Sequence, residues 1–323
     1  MGANKKLTMW YIRISRVFGV FPITRSADGS LTFSVFSLAT VYSVTVCLCY
    51  TVSMGNFIYG GLKQEQLLSY RLTVLSSTVG AVLTGYLICI SSLYYSKDLV
   101  KLLAITQKSK FRYGGQWRIG YWCIVPMLHF VCGLINFILY GFLFPESYDA
   151  DILLAPGPGW YRLLGFGTAL FEFCHVGMFL SALCFLIIFG KGVASCFELL
   201  CERALELCRS TMVSTHPGHI CIAMENEAPS FTMHNPVCET ETVKMVLLVK
   251  DAFEIYLKIG GAFTFALVTE TGTWLFYLVC AVLFSAKDSY PSFALPMMIC
   301  QATTVVLALV TVAELGHQIA SQV

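Results

Sequence analysis

The chain has 323 residues, of which 57% are apolar and only 12% charged, and its mean hydropathy is +0.71. A soluble domain carries about twice that charged fraction. The apolar residues are also gathered into long uncharged runs instead of being spread at helical or strand spacing. A formal net charge of +2 supplies no basic field for nucleic acid. The composition therefore predicts a polytopic protein of the lipid bilayer and excludes binding to nucleic acid.

The predicted elements in chain order are six apolar segments, each close to the roughly 20 residues that a helix needs to cross a bilayer. They cover residues 32–53, 72–95, 121–144, 163–189, 259–284 and 292–313. Pro126 and Pro296 lie inside the third and sixth segments and predict kinks there. The expected fold class is thus an all-α polytopic membrane protein with six transmembrane helices.

The basic residues predict the orientation of these helices, because Lys and Arg in loops stay preferentially on the cytoplasmic side. Most of the 21 Lys and Arg lie before the first span or in the second and fourth loops. This rule places three segments in the cytoplasm, namely the N-terminal arm (1–31), the loop at 190–258 and the tail (314–323). The first four spans then lie within 32–189, and the last two within 259–313. This orientation is inverted relative to G-protein-coupled receptors.

The cytoplasmic loop at 190–258 has two amphipathic helical segments that flank a flexible linker near 210–241, where Pro and Gly interrupt any period. It also holds Cys and His residues of the types that bind zinc. No Cys-x-x-Cys pair occurs among them, so we predict no metal site and no cofactor. These residues are Cys196, Cys201, Cys208, Cys221, Cys238, His216, His219 and His234.

Ionisable residues lie at membrane depth, with Glu172 and His175 in the fourth span and Glu270 in the fifth. Each costs at least roughly 2.5–3.5 kcal/mol near the bilayer centre, so such residues face a bundle interior or a water-filled cavity. Their spacing allows a hydrogen bond or ion pair between His175 and Glu270. One interpretation is that these groups only satisfy one another between packed helices.

The other interpretation is a ligand pocket in the outer half of the bundle. Helical spacing places polar and aromatic residues of the fourth and fifth spans on two facing stripes, and residues of the third and sixth spans can join them. Aromatic rings with one polar tip suit small organic ligands. The predicted ligand-binding residues are Asn136, Tyr140, Thr168, Glu172, His175, Glu270, Thr273, Trp274, Tyr277 and Gln301.

The segment directly before the first span reads RISRVFGVFPIT, and the second span is followed by LYYSKDLVKLLAITQK. With its basic residue, glycine and Phe-Pro pair, at Arg16, Gly19, Phe21 and Pro22, this sequence resembles the arthropod gustatory-receptor family, which is related to the insect odorant receptors. The layout of spans and basic loops extends the resemblance over essentially the whole chain.

The resemblance implies a ligand-gated, non-selective cation channel of the plasma membrane that senses small-molecule tastants. It also implies a homo- or hetero-tetramer with other receptor subunits and seven spans in each subunit. The family's last span carries Thr-Tyr, about five apolar residues and Gln-Phe, and this chain has no Thr-Tyr dipeptide. We therefore expect these 323 residues to lack the pore-lining seventh span and to end in a truncated tail.

The main alternative is a proton-coupled secondary transporter of a small solute, because six spans can form three-plus-three repeats and intramembrane Glu and His can relay protons. Against it, no corresponding polar segment recurs in the first three spans. An enzyme is not expected, because Glu172 and His175 alone are not a catalytic set.

Overall fold

The computed structural model describes residues 2–26, 30–63, 68–108, 119–143, 158–213, 236–285 and 294–321. The described chain is almost entirely helical. In chain order its helices are α1 (Gly2–Val17), α2 (Leu38–Lys63), α3 (Leu68–Tyr94), α4 (Ser96–Lys108), α5 (Ile119–Ile138) with a π-helical turn at Leu139–Leu143, α6 (Pro158–Val213), α7 (Pro236–Ser285) and α8 (Ala294–Ala320).

Three of the described helical segments are long and apolar enough to cross a membrane, namely Phe166–Leu205, Thr242–Cys280 and Pro296–Ala320. A fourth candidate is the pair Val79–Tyr94 and Ser96–Ile105, whose two helices meet at 63°. Shorter apolar helices run over Leu38–Ser53 and Ile124–Ile138. Each predicted span thus overlaps an apolar helix, while the number of six and the orientation stay predictions.

A short β-hairpin occupies the place where the sequence predicts the start of the first span. Strand β1 (Ile23–Arg25) pairs antiparallel with β2 (Leu31–Phe33), with Thr24 opposite Thr32. Helix α2 begins only at Leu38, because the Ser37 hydroxyl accepts a hydrogen bond of 3.2 Å from the Thr40 amide and so caps the helix N-terminus. Hydropathy alone does not locate such a cap.

The two prolines behave differently. Pro126 lies inside α5, where it removes a helical hydrogen bond as the sequence predicts. Pro296 lies in the first turn of α8, which begins at Ala294. The amides of a first turn have no intrahelical acceptor, so proline is tolerated there and the predicted kink at this position is not required.

The long helices α6 and α7 run antiparallel through the centre of the bundle. Contacts from one end to the other join His175 to Glu270, Leu186 to Tyr256 and Phe197 to Phe253. Helix α6 continues unbroken from the fourth predicted span into the first amphipathic segment of the loop predicted at 190–258, and α7 joins the second amphipathic segment to the fifth predicted span. Residues 214–235 of the predicted linker lie outside the described residues, as do Cys221 and the three loop histidines.

The chain between α1 and β1 enters the bundle as a compact apolar segment. Gly19 and Phe21 both adopt a positive φ, of 73° and 54°, which reverses the chain. Phe21 is fully buried and packs its ring against Phe185 of α6 and Phe263 of α7 at 5.9 and 5.6 Å. We call Tyr11, Phe18, Phe21, Phe185 and Phe263 the N-terminal cluster.

Candidate functional site

The predicted contact between His175 of α6 and Glu270 of α7 is confirmed. His175 Nε2 lies 3.1 Å from Glu270 Oε1. Glu270 is only 2% exposed, and His175 is buried as well. The pair sits in the first third of α6 and the last third of α7, so it joins the two longest helices by one polar contact.

Two aromatic residues complete the contact. Trp274, one turn along α7, donates its indole N–H to the same Glu270 Oε1 at 2.7 Å. On the other side, the hydroxyl of Tyr50 from α2 lies 3.1 Å from His175 Nδ1, and the two rings are stacked at 5.9 Å. We call Tyr50, His175, Glu270 and Trp274 the polar network.

Hydrogen-bond accounting assigns the protons of this network. The Tyr50 hydroxyl donates its single hydrogen to the backbone carbonyl of Ala81 in α3, at 2.8 Å. His175 Nδ1 then donates to the Tyr50 oxygen, and with an ionised Glu270 carboxylate Nε2 donates to Oε1. Both ring nitrogens then carry hydrogen, so the arrangement is an imidazolium paired with a carboxylate. Pairing and hydrogen bonds together are what allow two charges to be buried.

Glycines of α3 allow the neighbouring helices to approach this network closely. A Cβ atom at Gly80 would lie 2.1 Å from Thr273 Oγ1 of α7, and one at Gly85 would lie 2.7 Å from the Tyr50 ring. Such small residues permit the close helix contacts common in membrane bundles. The glycines thus set the distance at which α2 and α7 present Tyr50 and Glu270 to His175.

A second polar contact joins α5 and α8. His129 is buried and its Nδ1 lies 3.1 Å from Thr304 Oγ1. The Thr304 hydroxyl donates to the carbonyl of Gln301 at 2.8 Å, so His129 is the donor in the contact with Thr304. The His129 ring also packs against Phe179 of α6 at 4.6 Å. Phe179 lies one turn after His175 on α6, so this contact and the polar network lie along the same face of that helix.

The structure brings together part of the predicted ligand set. His175, Glu270 and Trp274 share the network. Thr273 lies about one turn from Glu270 on α7, and Tyr277 contacts Trp274 edge to face at 6.0 Å. Of the remaining members, Thr168 and Gln301 are buried, Asn136 is half-buried and Glu172 is exposed. The backbone of Tyr140 belongs to the π-helical turn, and its side chain lies outside the described part of the chain.

Sequence reasoning missed two residues that take part in these buried contacts. Tyr50 gave no local signal, because a tyrosine within an apolar run is also typical of lipid-facing positions. His129 gave one, since it is an ionisable residue inside the third predicted span and lies on the same helical face as Asn136, seven residues later. Within the described residues, no group of three or more His, Cys, Asp or Glu is arranged to hold a metal ion.

Comparison with known proteins gives a structural likeness. The structure of the insect olfactory receptor OR5 from Machilis hrabei matches with a TM-score of 0.61 and 11% sequence identity, covering 99% of this chain and 81% of that one. The likeness establishes the fold. No protein-family model matches the sequence, and no curated protein matches it either.

Proposed function

We propose that this protein is a gustatory chemoreceptor, a subunit of a ligand-gated non-selective cation channel in the plasma membrane that senses small organic tastants. The observation that carries the proposal is the match of nearly the whole chain to the fold of a protein described as an insect olfactory receptor. The resemblance of residues 13–24 to the gustatory family supports the taste assignment. Assembly as a homo- or hetero-tetramer belongs to the same proposal.

The polar network suits the ligand-binding part of this role. It connects four helices, α2, α3, α6 and α7, through three side-chain contacts and one backbone contact. A ligand that exchanges any of these hydrogen bonds changes how the helices pack against one another. A ligand shifts a conformational equilibrium by the difference in its affinity for the two states, and a network shared by four helices supplies such a difference.

Electrophysiology tests the proposal. The 323-residue chain is expressed alone and together with another chemoreceptor subunit, and cation currents evoked by a panel of small organic compounds are recorded. Trp274→Ala should raise the half-maximal concentration of active ligands at least tenfold, because it removes a hydrogen bond and an aromatic face. Phe276→Ala is the matched control, since Phe276 lies two residues away on α7 and is half exposed.

Two results would contradict the proposal or its site. Saturable uptake of a labelled solute driven by a proton gradient, without ligand-evoked current, would establish the transporter alternative. Unchanged responses in both Glu172→Gln and Trp274→Ala would remove the pocket assignment. Whether a seventh span follows is tested by sequencing the native transcript beyond codon 323 for Thr-Tyr, five apolar residues and Gln-Phe.

A further inference from the structure

Among the described residues, one of the two carboxylate oxygens of Glu270 accepts hydrogen bonds and the other does not. Its Oε1 accepts two hydrogen bonds, from His175 and from Trp274. Its Oε2 is buried and has no hydrogen-bond partner among the described residues. A carboxylate offers about four lone-pair sites, so half of the accepting capacity of Glu270 is unmet in a place where the side chain is only 2% exposed.

The polar network has no hydrogen left to give to Oε2. The single hydroxyl hydrogen of Tyr50 goes to the Ala81 carbonyl, and the two ring hydrogens of His175 go to Tyr50 and to Oε1. The only N–H of the Trp274 side chain also goes to Oε1. Every donor of the network is thus committed, and the two that reach the carboxylate, from His175 Nε2 and from Trp274, both go to Oε1. A donor for Oε2 has to come from outside the network.

We infer that the site takes small organic molecules that donate a hydrogen bond to Glu270 Oε2, namely alcohols and protonated amines, and that it discriminates against molecules that only accept. The inference rests on the proposed function, because it specifies the ligand class of the same site. A buried site built to bond one polar group rejects analogues that lack it, since the buried group then stays unpaired. Trp274 and Tyr277 are half-buried and meet edge to face at 6.0 Å, so their rings offer an apolar surface to the rest of such a molecule.

A binding measurement on the wild-type chain tests the inference directly. The full chain is purified into lipid nanodiscs and titrated calorimetrically with three probes of equal size: hexylammonium, which only donates, 1-hexanol, which donates and accepts, and methyl pentyl ether, which only accepts. Hexylammonium and 1-hexanol should bind at least tenfold more tightly than the ether. Equal affinities for the ether and the two donors, or binding of none of the three, would overturn the inference.

Glu270→Gln should change which of the three probes the site prefers. A purely structural role of Glu270 would not predict such a change. The glutamine amide oxygen can still accept from His175 and Trp274, while its NH₂ group places a donor where Oε2 was. The ether should then bind at least tenfold more tightly than in the wild type, hexylammonium at least tenfold more weakly, and 1-hexanol about equally. An unchanged order of the three probes in a folded Glu270→Gln variant would contradict the inference.

Glu254→Gln is the matched control for loss of a carboxylate on the same helix, because Glu254 is exposed and lies 3.9 Å from Lys250. It should leave the order of the three probes unchanged. The wild-type comparison requires no variant, so the inference stays testable if Glu270→Gln fails to fold. Donor-selective binding without any ligand-evoked current would contradict the channel function alone, whereas currents evoked equally by the ether would contradict the donor preference alone.

Discussion

The N-terminal cluster and the polar network are neighbours on the same two helices, yet they hold α6 and α7 together by different means. In the cluster, Phe18 packs so closely on α6 that a Cβ atom at Gly177 would lie 2.1 Å from its ring. Two residues earlier, His175 crosses to α7 by a hydrogen bond. The first contact depends on shape and apolar area, and the second depends on charge and direction.

The difference indicates which region can rearrange. Aromatic rings inserted against glycines have no alternative arrangement of similar energy, because packed interiors tolerate neither voids nor overlap. Hydrogen bonds of the polar network can be exchanged one for one with those of a ligand. We therefore expect the N-terminal cluster to act as the fixed part of the bundle and the polar network as its adaptable part.

The largest expected effect comes from breaking the fixed part. Phe21→Ala removes a fully buried ring and should lower the free energy of unfolding by about 3–5 kcal/mol. Reversible unfolding in mixed micelles measures the change. Phe36→Ala is the control, because Phe36 is 96% exposed, and should change stability by less than about 0.5 kcal/mol. Equal effects of the two substitutions would remove the cluster's role.

Removing the His175 side chain from the polar network should lower the free energy of unfolding nearly as much as Phe21→Ala does. His175→Ala leaves the Glu270 carboxylate buried without its cation, which typically costs about 3–5 kcal/mol. In a Glu270→Gln background the same change should cost clearly less, because no charge is stranded. The same micelle assay completes this double-mutant cycle. An identical cost in both backgrounds would mean that the two side chains are not paired as charges.

The next prediction concerns the close approach of α3 to α7 beside the polar network. Gly80→Ala places a methyl group against Thr273 and should cost about 1–3 kcal/mol by overpacking. Adding Thr273→Ala removes the two nearest atoms and should recover most of that loss. Gly272→Ala is the control, because no atom lies within 4 Å of its Cβ position. Alanine there should be neutral or stabilise the helix by up to about 1 kcal/mol.

Part of this arrangement could be predicted from the sequence. Hydropathy located the apolar helices, since the property is local, and helical spacing placed His175 and Glu270 where they could meet. Tyr50 and the Ala81 carbonyl could not be predicted, because they come from other helices and their contribution depends on three-dimensional packing. The β-hairpin was missed because Thr32 and Phe33 are apolar enough to extend a span in any hydropathy window.

The sequence could not predict which members of the ligand set come together in the fold. The ten predicted residues share polarity and approximate depth, which sequence spacing can express, but the way each helix is rotated in the bundle decides which of them meet. Glu172 and His175 differ by three positions on α6, and one is exposed while the other is buried. A rotation of this kind is set by contacts such as that of Phe18, which comes from a distant part of the chain, with Gly177.

The smallest expected effect concerns an ion pair that belongs to neither region. Lys101 of α4 lies 3.0 Å from Asp251 of α7, and both side chains are about half exposed. Solvent and salt screen such a pair, so Lys101→Ala should change the free energy of unfolding by less than about 1 kcal/mol, with a difference that shrinks as salt is raised. A loss comparable to that of His175→Ala would mean that α4 is held to α7 by charge. The comparison between a fixed apolar part and an adaptable polar part would then have to include a third, electrostatic contact.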